Sequence, residues 1–343
     1  MRVALFGYGY WGFRLARAIH SNERLTLSHI IDPSIATLTK ARTTYPTAQC
    51  NHQIRNGLDR EVDLVVIATK PTQHFSIAKW ALENSIPTIV AKPLTLNPAQ
   101  DSLLEALSAK MNVPLFVDFT YLFSSGIQTM KQAIAEDLIG VPKRLVSLRT
   151  NLGIIQSDCD VIWDLAVHDF SIIDYLFEPH TVTASVVGST DPLSSQLSTA
   201  TINILAHGDS TIFSTISVSW LSARKSRLIV IDGSHGTLQF DDTHLSDKLQ
   251  ITRGQVELSE NSETEVTRRV ASYTISETES LTLDNTETLQ REFNQTLDAL
   301  SGTIITSANP ALRTARIARR VGTIVEACQT SLKSDGRAIT VEI

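Results

Sequence analysis

The sequence predicts an α/β chain of two domains, a doubly wound parallel sheet followed by an α+β domain with a largely antiparallel, open-faced sheet. Three observations carry this. Short apolar runs alternate with helical patterns over the first 118 or so residues, a glycine-rich turn joins the first run to the first helix, and polar/apolar alternation takes over afterwards. Strands alternating with helices imply parallel pairing with right-handed crossovers. The boundary is expected between residues 119 and 120, giving domains 1–119 and 120–343.

Residues 2–6 form the first strand, followed by a glycine turn and a helix through Leu15, Ala16 and Ile19 that ends near Ser21 and Asn22. Leu25 to Ile31 is a second strand, and Val62 to Ala68 is rich enough in Val and Ile to be buried on both faces. Ile35 to Tyr45 supplies a helix between them. A helix from Ser76 to Asn84, a strand from Pro87 to Val90, a helix from Pro98 to Met111 and a strand from Pro114 to Asp118 complete the first half.

Beyond residue 120, helices are expected over Ser124 to Asp137 and Trp163 to Phe177, with a strand near Arg144 to Arg149 between them. Strands then dominate from Val182 to about Ile275. Thr215 to Trp220 alternates strictly, as in a sheet with one wet face, and the segments at His207 to Ser210 and Gly233 to Gly236 read as hairpin turns. The polar stretch from Ser259 to Thr288 is expected to form edge strands and loops. Two helices, about 286–300 and 310–331, precede a last short strand. Arg313, Arg316, Arg319 and Arg320 on the final helix are expected to form a solvated face.

Composition narrows the function. Of 343 residues, 42% are hydrophobic and 19% charged, as in an ordinary globular protein. The net charge of −6 disfavours nucleic acid and anionic membrane surfaces as partners. Three widely spaced cysteines, Cys50, Cys159 and Cys328, make neither a disulfide framework nor a zinc motif. Met1 to Phe6 runs directly into glycines and no segment matches a membrane span, so a cytoplasmic protein is expected. No metal site is expected, since Asp158, Cys159, Asp160, Asp164 and His168 match no standard ligand spacing.

Gly7-Tyr8-Gly9-Tyr10-Trp11-Gly12 is a GxGxxG turn between a strand and a helix, where the motif has mechanical meaning. The first glycine allows the tight turn, the second lets backbone approach a pyrophosphate, and the third lets helix and strand pack closely. Tyr10 and Trp11 serve there as backbone donors at a positive helix end. Asp32 follows Gly12 by twenty residues, just before Pro33. A carboxylate there accepts hydrogen bonds from the ribose hydroxyls and repels a 2′-phosphate, so NAD is favoured over NADP. This is the Rossmann arrangement.

A hydride-transfer site also needs polar groups at the ends of later strands. Thr69-Lys70-Pro71 with His74, and Ala91-Lys92-Pro93, meet that need; His74 could equally cap the next helix. In the second half, Asp164 and His168 lie four apart on an expected helix and so share a face.

These motifs together resemble the Gfo/Idh/MocA oxidoreductases across nearly the whole chain. Arg149-Thr150-Asn151-Leu152-Gly153, Asp160 to Asp169 and Trp220 to Lys225 are similar to the branch acting on nucleotide-linked amino sugars at the 3-position. The resemblance implies NAD(P) as cofactor, a sugar or nucleotide-sugar substrate, and a homodimer or homotetramer built through the open sheet face. It also implies that Lys92, Asp164 and His168 act at the substrate. His168 is suited to proton transfer because imidazole titrates near neutrality, Lys92 to stabilising a developing alkoxide, and Asp164 to orienting His168 or binding a hydroxyl. Tyr121, Arg149 and Asn151 are further substrate-contact candidates.

The chain departs from the family pattern in three places. Ala91 stands where Glu precedes Lys-Pro, Asp118-Phe119 replaces Gly-His, and Lys70 stands where proline is common. The Ala91 change leaves a second reading open, a catalytically silent dinucleotide-binding regulator of the same fold.

Overall fold

The computed structural model describes residues 1–54, 57–153, 155–156, 158–191, 195–261, 268–303 and 309–343. The first stretch carries β1 (Arg2–Phe6), α1 (Tyr10–His20), β2 (Thr26–Ile31), α2 (Ile35–Thr44), β3 (Gln49–Asn51), β4 (Leu64–Ile67), α3 (Pro71–Glu83), β5 (Thr88–Ala91), α4 (Pro98–Met111) and β6 (Leu115–Asp118). Then come α5 (Ser125–Ala135), β7 (Pro142–Leu152), a π turn (Ile162–Ala166), α6 (Val167–Phe177), β8 (Thr181–Thr190), β9 (Leu197–His207) and β10 (Thr211–Ser219). The chain ends with β11 (Leu221–Gly233), β12 (Gly236–Asp241), β13 (Leu249–Asn261), β14 (Arg268–Ser280), α7 (Thr288–Ser301), α8 (Thr314–Lys333) and β15 (Ile339–Glu342).

Two compact units result. The first comprises Met1–Ser124, Ser157–Cys159 and Thr286–Glu326, and the second Ser125–Gln156, Asp160–Asn285 and Ala327–Ile343. A single cut at 119/120 does not describe this arrangement, because the chain returns: the amphipathic α7 buries Leu289, Phe293 and Leu297 within the first unit.

In the first unit the six strands run parallel in the order β3-β2-β1-β4-β5-β6, the order of a dinucleotide-binding sheet. β1, β4, β5 and β6 are buried almost throughout, as strands covered on both faces must be. Residues suited to the task start the helices. Ser34 caps α2 by accepting from the Thr37 N–H at 3.2 Å, and Asn97 caps α4 by accepting from Ala99 at 2.9 Å, with Pro98 preset for the first turn. α3 begins at Pro71, five residues before the expected Ser76, for the same reason: proline at the first helical position costs no hydrogen bond. β3 was not anticipated; three polar residues pair with β2 and offer no apolar pattern to detect.

Asp101, in the first turn of α4, is buried and accepts a hydrogen bond from Thr95 Oγ1 at 2.7 Å. α8 packs against it only because Gly322 lacks a side chain; a Cβ there would stand 2.9 Å from Asp101 Oδ2. Burial pushes the Asp101 carboxyl up to about 7. A carboxyl raised on folding contributes stability below its unfolded value, near 4, and loses it as pH rises toward 7. Asp101→Asn is therefore expected to flatten this dependence, raising stability above pH 7 by on the order of 2 kcal/mol and leaving it little changed near pH 4. Thermal denaturation across that range checks this; identical pH profiles would refute it. On α8 itself Arg320 is buried and Arg319 pairs with Glu105 of α4 at 2.9 Å, whereas Arg316 is exposed, so the arginine face is part packed and part solvated.

The second unit contains a nine-stranded sheet ordered β14-β13-β12-β11-β7-β10-β9-β8-β15. All its pairs are antiparallel except β7 with β10. Alternation sets the faces: Ile212, Ser214, Ile216 and Val218 are buried, with Phe213, Thr215 and Ser217 on the opposite face. Of the polar stretch from Ser259 to Thr288, Ser259 to Asn261 end β13 and Arg268–Ser280 form β14 at one edge of the sheet. Part of that stretch, residues 262–267, lies outside the described residues.

Candidate functional site

The glycine turn behaves as its spacing predicts. Gly7 adopts φ +88°, and a Cβ there would come within 2.5 Å of the Ala68 carbonyl oxygen; at Gly12 a Cβ would collide with the Gly7 carbonyl at 2.0 Å. Both contacts bring the start of α1 close to the ends of β1 and β4. Gly9 differs: nothing lies within 4 Å of where its Cβ would be. It caps α1 without a side chain, and the first turn has no acidic residue. The Tyr10 and Trp11 amides and the positive end of the helix dipole are thus left for an anion.

Asp32, at the end of β2, is buried and pinned from two sides. Its Oδ2 accepts from the Tyr8 N–H at 2.8 Å, and its Oδ1 from the Ser34 N–H at 2.8 Å. Each oxygen keeps lone-pair capacity for a ribose hydroxyl. Pro33 beside it is exposed. These residues fit a dinucleotide: an unfilled cradle at Gly9, a helix terminus with donors, and a fixed carboxylate at the right separation.

Thr69 and Lys70 follow β4, and Pro71 opens α3. Lys92 and Pro93 follow β5, with the Lys92-Pro93 bond cis and Lys92 partly exposed. His74 is not at a strand end but inside α3, and its ring is 1% exposed. Its Nδ1 lies 3.0 Å from the Pro93 carbonyl oxygen and its Nε2 3.1 Å from that of Thr69. Burial lowers the pKa of this imidazole, opposed by these carbonyls. His74 therefore ties the segment after β4 to the segment after β5, and neither ring nitrogen points to an open crevice.

Ala91 has a neighbour that the spacing could not reveal. In the β5–β6 register it stands directly opposite Asp118, so a carboxylate does occupy this end of the sheet, carried by the next strand. Asp118 is 1% exposed and accepts from Trp11 Nε1 at 2.6 Å and from Thr120 Oγ1 at 2.6 Å. Glu292, from α7, is buried against it. Burial, then the Asp118 charge and hydrogen bond, hold the Glu292 carboxyl well above the usual carboxylate range. Tyr121 sits in the short turn Thr120–Phe123 after β6.

In the second unit, Arg149 lies on β7 and is 2% exposed. Its Nε and Nη2 both donate to Asp169 at 2.8 Å, and Ser147 adds a third bond to that carboxylate at 2.7 Å. Arg149 is thus the cation of a buried bidentate pair and not an open substrate contact. The two partners are twenty residues apart with no local signal linking them. Asn151, further along β7, is partly exposed.

Asp164 lies in the π turn Ile162–Ala166, and His168 in the first turn of α6. The expectation that four residues stack one above the other presumes 3.6 per turn. The π turn is wider, which changes the angle between the two side chains without carrying them to opposite sides. Trp220 Nε1 donates to Asp164 Oδ2 at 2.8 Å and fixes that carboxylate. Both Asp164 and His168 keep partial exposure. Single π turns inside helices occur frequently at functional sites.

A parallel six-stranded sheet with a glycine cradle and a pinned acid, joined to a mixed open-faced sheet, defines a dinucleotide-binding oxidoreductase scaffold. Residues 1–119 match the oxidoreductase family, NAD-binding Rossmann fold, and residues 127–239 match the GFO/IDH/MocA C-terminal domain. The chain belongs to the GFO/IDH/MocA family, and its first unit carries that family's NAD-binding fold. It is 32% identical over 142 residues to an uncharacterized oxidoreductase, YdgJ, of Escherichia coli, covering 41% of this chain and 40% of that protein. It is 25% identical over 190 residues to a UDP-N-acetylglucosamine 3-dehydrogenase of Acidithiobacillus ferrooxidans, covering 55% and 58%. The match thus spans about half the length of these curated relatives. The solved UDP-N-acetylglucosamine 3-dehydrogenase from Acidithiobacillus ferrooxidans superposes with a TM-score of 0.79 at 20% identity, covering 98% of this chain and 99% of that one. An Agrobacterium radiobacter oxidoreductase in complex with NAD+, L-tartaric acid and magnesium superposes with a TM-score of 0.76 at 19% identity, covering 100% and 98%. Among the described residues no helix is long and apolar enough to cross a membrane, and no cluster of His, Cys, Asp or Glu could hold a metal. Cys50, Cys159 and Cys328 form no disulfide.

Proposed function

We propose that this chain is an NAD-dependent dehydrogenase that oxidises a secondary alcohol of a sugar, with nucleotide-linked sugars such as UDP-N-acetylglucosamine as the favoured substrates. The observation that carries the reading is the uncapped start of α1 beside the doubly anchored Asp32. When bound, the cofactor supplies the hydride acceptor at nicotinamide C4. The Tyr10 and Trp11 amides bind its pyrophosphate, and Asp32 takes the adenosine ribose hydroxyls while repelling a 2′-phosphate. Lys92 hydrogen-bonds the reacting oxygen and offsets charge as an alkoxide develops. His168 accepts the hydroxyl proton, help typically worth on the order of 10² to 10⁴ in rate. Asp164, held by Trp220, orients His168 or binds a substrate hydroxyl. The substrate class draws support from the relatives named above and from the Asp160 to Asp169 run.

Mixing the purified protein with NAD+ and a panel of UDP-sugars, free sugars and inositols should raise absorbance at the reduced-nicotinamide band for at least one of them. Tight NAD+ binding with no turnover across the panel would favour the regulator that Ala91 leaves open. Asp118 opposite Ala91 argues against that alternative, since the carboxylate missing from β5 has a counterpart on β6.

The second unit is further proposed to assemble as a homodimer or homotetramer through its open sheet face. Val187 is 72% exposed and Phe213 42% exposed on that face, which also carries Val146, Leu148, Leu205, Leu228 and Val230 in register. A strictly monomeric mass by analytical ultracentrifugation at micromolar concentration would refute the assembly.

A further inference from the structure

The Trp11 indole and the Asp118 carboxylate take no part in the roles assigned above, yet their hydrogen bond joins two distant places at one end of the parallel sheet. Trp11 sits in the first turn of α1, just after β1, whereas Asp118 ends β6. β4 and β5 lie between those strands in the sheet, so at about 4.8 Å per strand the tie links places roughly 14 Å apart in strand position. The bond is short, 2.6 Å, and charge-assisted. Its acceptor is held in turn. Thr120 donates to the other Asp118 oxygen at 2.6 Å, and buried Glu292 packs on the same carboxylate. Among the described residues Glu292 Oε2 finds no hydrogen-bond partner. A buried carboxyl pair of this kind is costly for a fold to keep, and through Asp118 it holds the Trp11 indole.

In a sheet of this order, the adenosine half of a dinucleotide lies over β1, β2 and β3, and the other half runs over the ends of β4, β5 and β6. We propose that Trp11 and Asp118 form a positioning clasp for the nicotinamide half of the cofactor. The clasp sets the separation between the pyrophosphate-binding turn and the strand ends that carry Thr69, Lys70 and Lys92. It acts through those groups and is not itself a reacting group. It rests on the NAD-binding fold of the first unit and is independent of which sugar is oxidised.

The clasp makes a distinctive prediction, because adenosine fills only the half of the site over β1 to β3 and lacks the diphosphate that the Tyr10 and Trp11 amides would bind. Trp11→Phe removes the indole N–H and keeps an aromatic ring. It should weaken NAD+ binding about tenfold by calorimetry, consistent with losing a hydrogen bond to a charged acceptor, and leave adenosine affinity unchanged. Asp118→Ala, which removes the acceptor, should do the same, and the double variant should be no weaker than the worse single one, since both act through one bond. The KM for NAD+ in turnover assays should rise more than kcat falls. Should Asp118→Ala fail to fold, Trp11→Phe with the NAD+ and adenosine titrations decides the matter alone. Unchanged NAD+ affinity in Trp11→Phe, equal weakening of NAD+ and adenosine, or additive effects in the double variant would each overturn the clasp.

Discussion

Alanine at Asp169 will destabilise the protein by about 3–5 kcal/mol, the usual consequence of removing one partner from a buried ion pair. The substitution strips the Arg149 guanidinium of the carboxylate that takes its Nε and Nη2, and removes the acceptor of Ser147 Oγ as well. The charge stays where water does not reach, at 2% exposure. Replacing Arg149 and Asp169 together by apolar residues of similar volume should cost much less, because no buried charge is left behind. Chemical denaturation of the wild type, Asp169→Ala and the double variant checks both statements. A midpoint for Asp169→Ala within experimental error of wild type would contradict them.

Lys92→Ala and His168→Ala are each expected to lower kcat/KM for the sugar by 10² to 10⁴, roughly the worth of one positioned acid, base or electrostatic group. NAD+ binding should survive in His168→Ala, since that residue belongs to the second unit and the cofactor cradle to the first. With His168 gone, the fall of kcat/KM at acidic pH should also disappear, because only a neutral imidazole can accept a proton. Steady-state kinetics between pH 5 and pH 9 separate these outcomes. Turnover within threefold of wild type in either variant would remove that residue from the chemistry.

How much of this was legible in the sequence depended on how local the signal was. The glycine turn was legible as a local spacing, with Gly12 answering to Gly7 and Asp32 standing at a neighbouring strand end, whereas the approach of Gly7 to Ala68 at the end of β4 was not. The parallel sheet was legible because buried strands such as Leu64–Ile67 are apolar throughout. What stayed hidden was non-local. Nothing near Arg149 announces Asp169, nothing near Ala91 announces that Asp118 would stand across from it, and the return of α7 to the first unit requires knowing what Phe293 packs against. His74 illustrates a different limit. Its residue type pointed to the cofactor, while the helix that starts at Pro71 turned it inward onto two backbone carbonyls. Asp164 and His168 were singled out by their four-residue spacing and then by resemblance, while the π turn that carries Asp164 and the Trp220 bond to it had no local signal.

The proposed reaction passes a hydride from a sugar carbon to the nicotinamide of an NAD+ whose pyrophosphate lies at the glycine cradle. The most direct measurement incubates the protein with NAD+ and UDP-N-acetylglucosamine deuterated at C3, together with UDP-sugars labelled at other ring carbons, and analyses the reduced cofactor by mass spectrometry. The expected result is one deuterium at nicotinamide C4 from one labelled position, with turnover slowed relative to the unlabelled sugar. Reduced cofactor that carries no label from any ring position, or no reduction with any of the labelled sugars, would contradict it.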